Sequence, residues 1–247
     1  MRFCVLACLW LSYCCFVQCA KLPSAWGRCH KSDAGFSECI RENIEIAVST
    51  LNKPISELNS GALDPLDIPE LYIGEGTGPV NVAQHFKNVK LFGISNVKVL
   101  NSSVNFKDKY IQSVTVSPQL VLKGDYDLKG QILLLPVYGN GKCTVTLSDV
   151  LINHKIVWEN IEKKGKVFMK CVDYKITLKP GKVSYQFDNL FDGQKELGDN
   201  INKVLNESWE EVFNDVRDGY EKSLGIIFND LANRILSKVP EKEIFLE

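Results

Sequence analysis

Residues 197–235 read LGDNINKVLNESWEEVFNDVRDGYEKSLGIIFNDLANRI, and an apolar side chain recurs there every three or four positions. Leu197, Ile201, Leu205, Trp209, Val212, Val216, Tyr220, Leu224, Ile227, Leu231 and Ile235 carry the pattern. This spacing predicts one amphipathic helix with a continuous buried stripe. Lys203, Glu207, Glu211, Asp215, Asp218, Glu221, Lys222, Asp230 and Arg234 fill much of the other face. About 42 residues at ~1.5 Å each make a rod of roughly 60 Å, well beyond an ordinary globular helix. A rod of that length needs an equally long apolar partner. Gly198, Gly219 and Gly225 interrupt it, each costing ~1 kcal/mol relative to Ala. Local bending, close approach of a neighbouring element, or room for a ligand would each account for them.

The partner lies upstream. From Val80 to Phe191 the pattern is that of strands: Val97 and Val99 alternate with Lys98, Val114 and Val116 with Thr115, and Val145 and Leu147 with Thr144, Thr146 and Ser148. Turns are expected at Lys107-Asp108-Lys109, Lys123-Gly124-Asp125, Gly139-Asn140-Gly141, Lys164-Gly165 and Pro180-Gly181. The expectation is an antiparallel meander of strands about 8–15 residues long, which twist and curl at that length. Gln131–Tyr138 is apolar apart from its ends and reads as a strand buried on both sides. Residues 59–79, dense in Gly and Pro, read as a connector. Before it, Cys39, Ile40, Ile44, Ala47, Val48 and Leu51 predict a short amphipathic helix, capped by Ser37 and stopped before Pro54.

The N-terminus has the form of a secretory signal peptide, with Arg2, an apolar run from Phe3 to Val17, and small residues up to Ala20. The expected organisation is a signal peptide over residues 1–20 and a single domain over 21–247, secreted and extracellular. Losing Arg2 takes the formal charge from −1 to −2. No basic cluster suits nucleic acid, no later run is long and apolar enough for stable membrane insertion, and a monomer is expected.

Four cysteines remain after cleavage: Cys29, Cys39, Cys143 and Cys171. Cys29 and Cys39 can close a short loop through Ser32-Asp33-Ala34-Gly35 as a disulfide. A zinc site is the weaker reading, since only His30 lies nearby. A hairpin at Lys163-Lys164-Gly165 would place Cys143 opposite a residue near 185 and Cys171 opposite one near 157. The two would then be unpaired unless that hairpin reading fails. Asn101 and Asn206 head glycosylation sequons, the second inside the long helix.

Signatures of catalysis are missing from the chain. Its three histidines, His30, His85 and His154, form no His-Glu-x-x-His, and no Gly-x-Ser-x-Gly elbow occurs. No enzymatic activity, metal or cofactor is expected. A curved sheet around a rod encloses an elongated interior, which is either packed solid or an apolar hollow suited to a lipid-like molecule.

Several segments resemble the insect takeout and haemolymph juvenile hormone binding protein family. They are Cys29…Cys39 with its helix, residues 64–71 (DPLDIPEL), Gly93-Ile94-Ser95-Asn96, residues 130–136 (GQILLLP), residues 189–193 (NLFDG), residues 197–209 and residues 235–240. The likeness runs through the whole mature chain in order and is nearer the takeout branch. It implies an α+β fold: a long C-terminal helix wrapped by a highly curved antiparallel sheet, a tubular lipid-binding super-roll with a short N-terminal helix. It also implies the Cys29–Cys39 bridge, a small lipophilic ligand such as a terpenoid hormone or fatty acid, and links to circadian, feeding or chemosensory physiology. Cys143 and Cys171 do not match the hormone-binding branch's second bridge. The alternative is a secreted signalling module with a filled core, acting on a receptor. If the hollow exists, its expected lining is Val97, Val99, Val114, Val116, Leu122, Tyr126, Leu128, Leu134, Val145, Leu147, Trp209, Phe213, Tyr220 and Phe228. Tyr126 and Tyr220, each joining an apolar ring to a polar tip, are the expected hydrogen-bonding groups.

Overall fold

The computed structural model describes residues 21–58, 60–76, 78–133 and 135–247. The expected signal peptide and Leu134 lie outside them. A seven-stranded antiparallel sheet dominates. Its spine is one hairpin of two very long strands, β5 (Tyr110–Ile132) and β6 (Leu135–Lys163), paired along the whole of β5 and as far as Val157 of β6. Along one half of the spine β5 pairs with β3 (Val80–Phe92), and along the other with β4 (Lys98–Asn105). β6 is flanked in the same way, by β8 (Lys182–Phe187) and then by β7 (Lys166–Lys179). An edge strand, β2 (Leu66–Ile73), pairs with β3.

Both spine strands change partner at one level. β3 gives way to β4 across 93–97, and β7 to β8 at Pro180-Gly181, where the chain runs on without reversing. In the spine, Pro118 and Asp149 stand opposite one another but drop out of the ladder between the pairs Ser117–Val150 and Gln119–Ser148. Proline has no N–H to donate, and Asp149 has φ 50°. Side-chain alternation inverts across this crease. Ile111, Ser113, Thr115 and Ser117 are buried before it, and Leu122, Tyr126, Leu128 and Ile132 after it. Unbroken alternation from Leu122 backwards would have put Val116 and Val114 inside, and the crease places them outside.

The expected single rod is two helices, α2 (Lys195–Glu207) and α3 (Trp209–Leu236), separated at Ser208 (φ −105°, ψ 29°). Hydrogen bonds from Ser208 N–H to Val204 and from Val212 N–H to Ser208 carry the chain through the junction. The helices close the roll with their side chains. Ser223 donates to the carbonyl of Tyr72 on β2, while Glu221 accepts from Leu178 N–H and Asn233 spans both polar groups of Cys171 on β7. Both edges of the sheet therefore reach the same helix, which satisfies main-chain groups that would otherwise be open edges. At Gly225 a Cβ would lie 2.6 Å from the carbonyl oxygen of Tyr174, so close approach of the sheet explains that glycine. Gly198 has ordinary space around it, and Leu197, at the start of the expected stripe, is 45% exposed.

Other expectations are corrected. The connector contains β2, whose Pro69 is tolerated because the strand has a partner on one side only. Residues 131–133 and 135–138 belong to the end of the spine's hairpin, with Leu135 and Tyr138 exposed, and are not a doubly covered strand. Lys123-Gly124-Asp125 and Gly139-Asn140-Gly141 are strand interior. A Cβ on Gly124 would meet the carbonyl of Lys87 at 2.9 Å, so this glycine marks backbone crowding rather than a turn. The N-terminal helix α1 (Phe36–Ser49) starts ahead of Ser37, with Gly35 at the cap. Its base is joined by the Cys29–Cys39 disulfide, Cα–Cα 5.9 Å. The segment β1 (Cys29–His30) pairs in parallel with β9 (Phe245–Leu246), tying the described N-terminal segment to the C-terminal one.

Candidate ligand cavity

A hollow of about 380 Å³ lies between the inner face of the sheet, α1 and α3, within the ~300–1,000 Å³ typical of small-molecule sites. β5 contributes Ile111, Ser113, Thr115, Leu120 and Leu122, while β6 contributes Val145, Leu147, Ile152, His154 and Ile156. α3 contributes Phe213, Tyr220, Leu224, Phe228, Leu231 and Ile235, and α1 contributes Ile40, Ile44, Ala47 and Val48. The second half of α3 presents Phe228, Leu231 and Ile235 as only partly buried, the last two being members of the apolar stripe. They line the hollow while also packing against the core beside it. Among the described residues, no Asp, Glu, Lys or Arg lines the cavity.

Of the expected lining residues, Val97, Leu122, Val145, Leu147, Phe213, Tyr220 and Phe228 are on the wall. Val114 and Val116 are turned to the outer face by the crease and give up their places to Ser113 and Thr115. Val99 is buried where β4 passes α1, its main chain held by Glu45 and Arg41. Leu128 belongs to the packed core away from the hollow, and Trp209 packs half-buried against that core. Tyr126 is also off the wall. Its hydroxyl donates to the carbonyl of Asp188 at 2.5 Å, and its ring meets Phe187 edge-on. Tyr220 is on the wall, but its hydroxyl is engaged with Gln84 Oε1 at 3.0 Å. Neither tyrosine offers its hydroxyl hydrogen to a guest.

The polar groups that do face the hollow were not among the expected ones. Thr115 Oγ1 lies 2.9 Å from His154 Nε2, and His154 Nδ1 lies 3.1 Å from the hydroxyl of Tyr174. The Tyr185 hydroxyl is buried without a partner, on the stretch of β8 that pairs with Val145. Burial pushes the His154 imidazole down to about 4 and raises the Tyr174 and Tyr185 phenols, so all three are neutral at ordinary pH. An interruption by proline within the 110–132 run was the one signal in the sequence that could have moved Thr115 and His154 inward.

Cys143 stands opposite Phe187 and Cys171 opposite Trp158; both are free thiols in the interior. Burial pushes them up to about 12 and about 11, which keeps them protonated and unreactive. Asn101 is exposed on β4. Asn206 is not available in the same way, because its side-chain amide is bonded to the backbone of Tyr185 and Asn202.

Residues 4–246 match the family model described as haemolymph juvenile hormone binding protein. The chain belongs to this family. Among curated relatives of this haemolymph juvenile hormone binding protein family member is circadian clock-controlled protein daywake of Drosophila melanogaster, 25% identical over 234 residues, covering 90% of this chain and 88% of the relative. The Drosophila yakuba counterpart is 24% identical over 231 residues, with the same coverage of each chain. Among solved structures, Epiphyas postvittana Takeout 1 superposes with a TM-score of 0.77 at 25% identity, covering 89% of this chain and 99% of that one. Family membership gives meaning to two of the quoted motifs. Asp64 accepts from the N–H of Gly93 and from the N–H and hydroxyl of Ser95, so residues 64–71 and 93–96 form one structural joint.

Proposed function

We propose that this protein is a secreted carrier that sequesters a small lipophilic molecule in its internal hollow, away from water. The observation that carries the reading is an apolar cavity of about 380 Å³ whose described wall holds no Asp, Glu, Lys or Arg. A guest leaving water for such a wall gains about 25 cal/mol per Å² of apolar surface buried. A filled core, which the signalling-module alternative requires, has less support. Membership in a family named for binding juvenile hormone in haemolymph favours an extracellular, hormone-like or fatty-acid-like cargo. The names of the Drosophila relatives extend the proposal to expression under circadian control.

The test is native mass spectrometry of protein secreted from insect cells, paired with displacement of a fluorescent naphthylamine by lipids. Co-purified lipid and saturable, competable dye binding are expected. A Leu147→Trp variant, which fills the hollow from β6, should fold and lose most of that binding. Protein that is lipid-free and takes up no dye would overturn the carrier reading.

A further inference from the structure

We infer that the chain Thr115–His154–Tyr174 is a head-group site within the cavity, selecting a cargo that is electrically neutral and carries an oxygen acceptor such as an ester or ketone carbonyl. The inference rests on the carrier reading and specifies what is carried.

The argument is a count of hydrogens. Thr115 and Tyr174 each bring one hydroxyl hydrogen, and a neutral imidazole brings one N–H. Two bonds join the three groups, Thr115 to Nε2 and Tyr174 to Nδ1. If Nδ1 carries the proton it donates to Tyr174, Nε2 accepts from Thr115, and the Tyr174 hydrogen is left over. If Nε2 carries the proton it donates to Thr115, Nδ1 accepts from Tyr174, and the Thr115 hydrogen is left over. Either tautomer leaves one hydroxyl donor unspent, and all three residues line the hollow. A buried donor without an acceptor is costly, and among the described residues neither hydroxyl makes a second side-chain hydrogen bond. An oxygen on the guest would satisfy it.

A second observation points the same way. The Tyr185 hydroxyl is on the same wall, buried and unpartnered. It stands beside Val145, so His154 is about 30 Å further along β6 at ~3.3 Å per residue. The hollow therefore offers donors at separated points and no fixed positive charge. An ionised carboxylate would enter without a counter-ion, at a large desolvation cost. His154, which stays neutral, would not supply one.

Methyl palmitate, hexadecane and palmitate, competed at pH 8 against a bound neutral naphthylamine dye, form the test. The ester should displace dye at about fivefold lower concentration than the alkane, the size of one net hydrogen bond, and the ionised acid should compete worst. Thr115→Val and Tyr174→Phe each remove one hydrogen and one bond and so still leave one donor unspent. The triple variant Thr115→Val/His154→Phe/Tyr174→Phe, which removes every donor of the chain, should abolish the ester's advantage while leaving hexadecane within about twofold. In the unmutated protein, the ester but not hexadecane should move the ring ¹⁵N resonances of His154 as one tautomer is fixed. Equal affinity for ester and alkane, tightest binding of palmitate, or an ester advantage that survives the triple substitution would overturn the inference. So would loss of the advantage in Tyr185→Phe alone. In each of those cases the carrier reading survives, whereas failure of dye and all three lipids to bind sinks both.

Discussion

The side-chain amide of Asn206 pairs with both main-chain polar groups of Tyr185: Oδ1 accepts its N–H at 3.0 Å and Nδ2 donates to its carbonyl at 2.7 Å. One turn earlier Asn202 makes the same pair with Phe187, at 2.9 and 2.8 Å. Near the end of α3 Asn233 repeats it with Cys171. Each asparagine presents the donor and acceptor that a neighbouring strand would have supplied, so the helices complete the ladder where the sheet runs out of strands. Asparagine is a mediocre helix former, and these positions are filled for the strand edge rather than for the helix.

Asn206→Ala should therefore cost more than a surface substitution. It strands a buried N–H and C=O of β8, and a loss of about 2–4 kcal/mol in chemical denaturation is expected. Asn206→Asp keeps the acceptor and should lose less. A loss under about 0.5 kcal/mol in the alanine variant would mean that water replaces the amide without cost.

The same contact separates the two sequons. Asn101 is exposed on β4, while the Asn206 amide is committed to the backbone. Glycopeptide mapping of protein secreted by insect cells should find glycan at Asn101 alone. Glycan at Asn206 would require the α2–β8 contact to form after modification.

The helix, the strands and the disulfide were legible because each follows from local pattern: a 3.6-residue period, a two-residue period, and two cysteines across a turn. The inner wall was not legible beyond the crease. Val114 and Val116 look like inward residues of the strand that carries Leu122, and only the opposed irregularities at Pro118 and Asp149 reverse them. That reversal depends on two residues 31 positions apart in sequence meeting in one ladder, which no local pattern reports. The polar groups of the site follow from the same reversal, and for that reason Thr115 and His154 were missed while Val145 and Leu147 were not. The glycines misled in a related way. At Gly124 the missing side chain answers to a neighbouring carbonyl, and sequence alone cannot tell crowding from a turn.

Gly225 gives a sharper test of crowding. Replacing it with Ala favours the helix by about 1 kcal/mol, yet the new methyl would sit 2.6 Å from the Tyr174 carbonyl, a backbone atom that cannot swing aside. Overpacking of this kind costs about 1–3 kcal/mol, so Gly225→Ala should be net destabilising. Gly219→Ala meets the branch methyl Cγ2 of Ile73 at 2.7 Å, on a fully buried side chain that is stiff at χ1, and should be destabilising as well. Thermal melts of the two variants give the comparison, and a more stable Gly225→Ala would show that the sheet can retreat.

Thiol labelling addresses the buried cysteines. Native protein treated with iodoacetamide should take up little label, because Cys143 and Cys171 are buried and their thiols are pushed up to about 12 and about 11. Unfolding without reductant should expose two thiols, and with reductant four, as the Cys29–Cys39 bridge opens. Absence of label in the unfolded, unreduced chain would mean that Cys143 and Cys171 are bridged after all.

His154 should make the fold sensitive to mild acid. In the unfolded chain its imidazole binds a proton near pH 6.5, whereas burial in the folded chain holds it down to about 4. Between those values the unfolded state carries more protons, so acid favours unfolding. The contribution is whole above pH 6.5 and is lost as pH falls towards 4. At 1.36 kcal/mol per pH unit it amounts to something on the order of 3 kcal/mol. Glu221 works in the opposite direction, since burial raises its carboxyl and the folded state then holds its proton more readily than the unfolded one. The two are separated by comparing the unmutated protein with His154→Gln, in which the Glu221 contribution is retained. Denaturation midpoints measured from pH 7.5 to 4.5 should fall more steeply in the unmutated protein than in the variant. Parallel slopes would place His154 in contact with water and remove the basis for a neutral imidazole in the cavity wall.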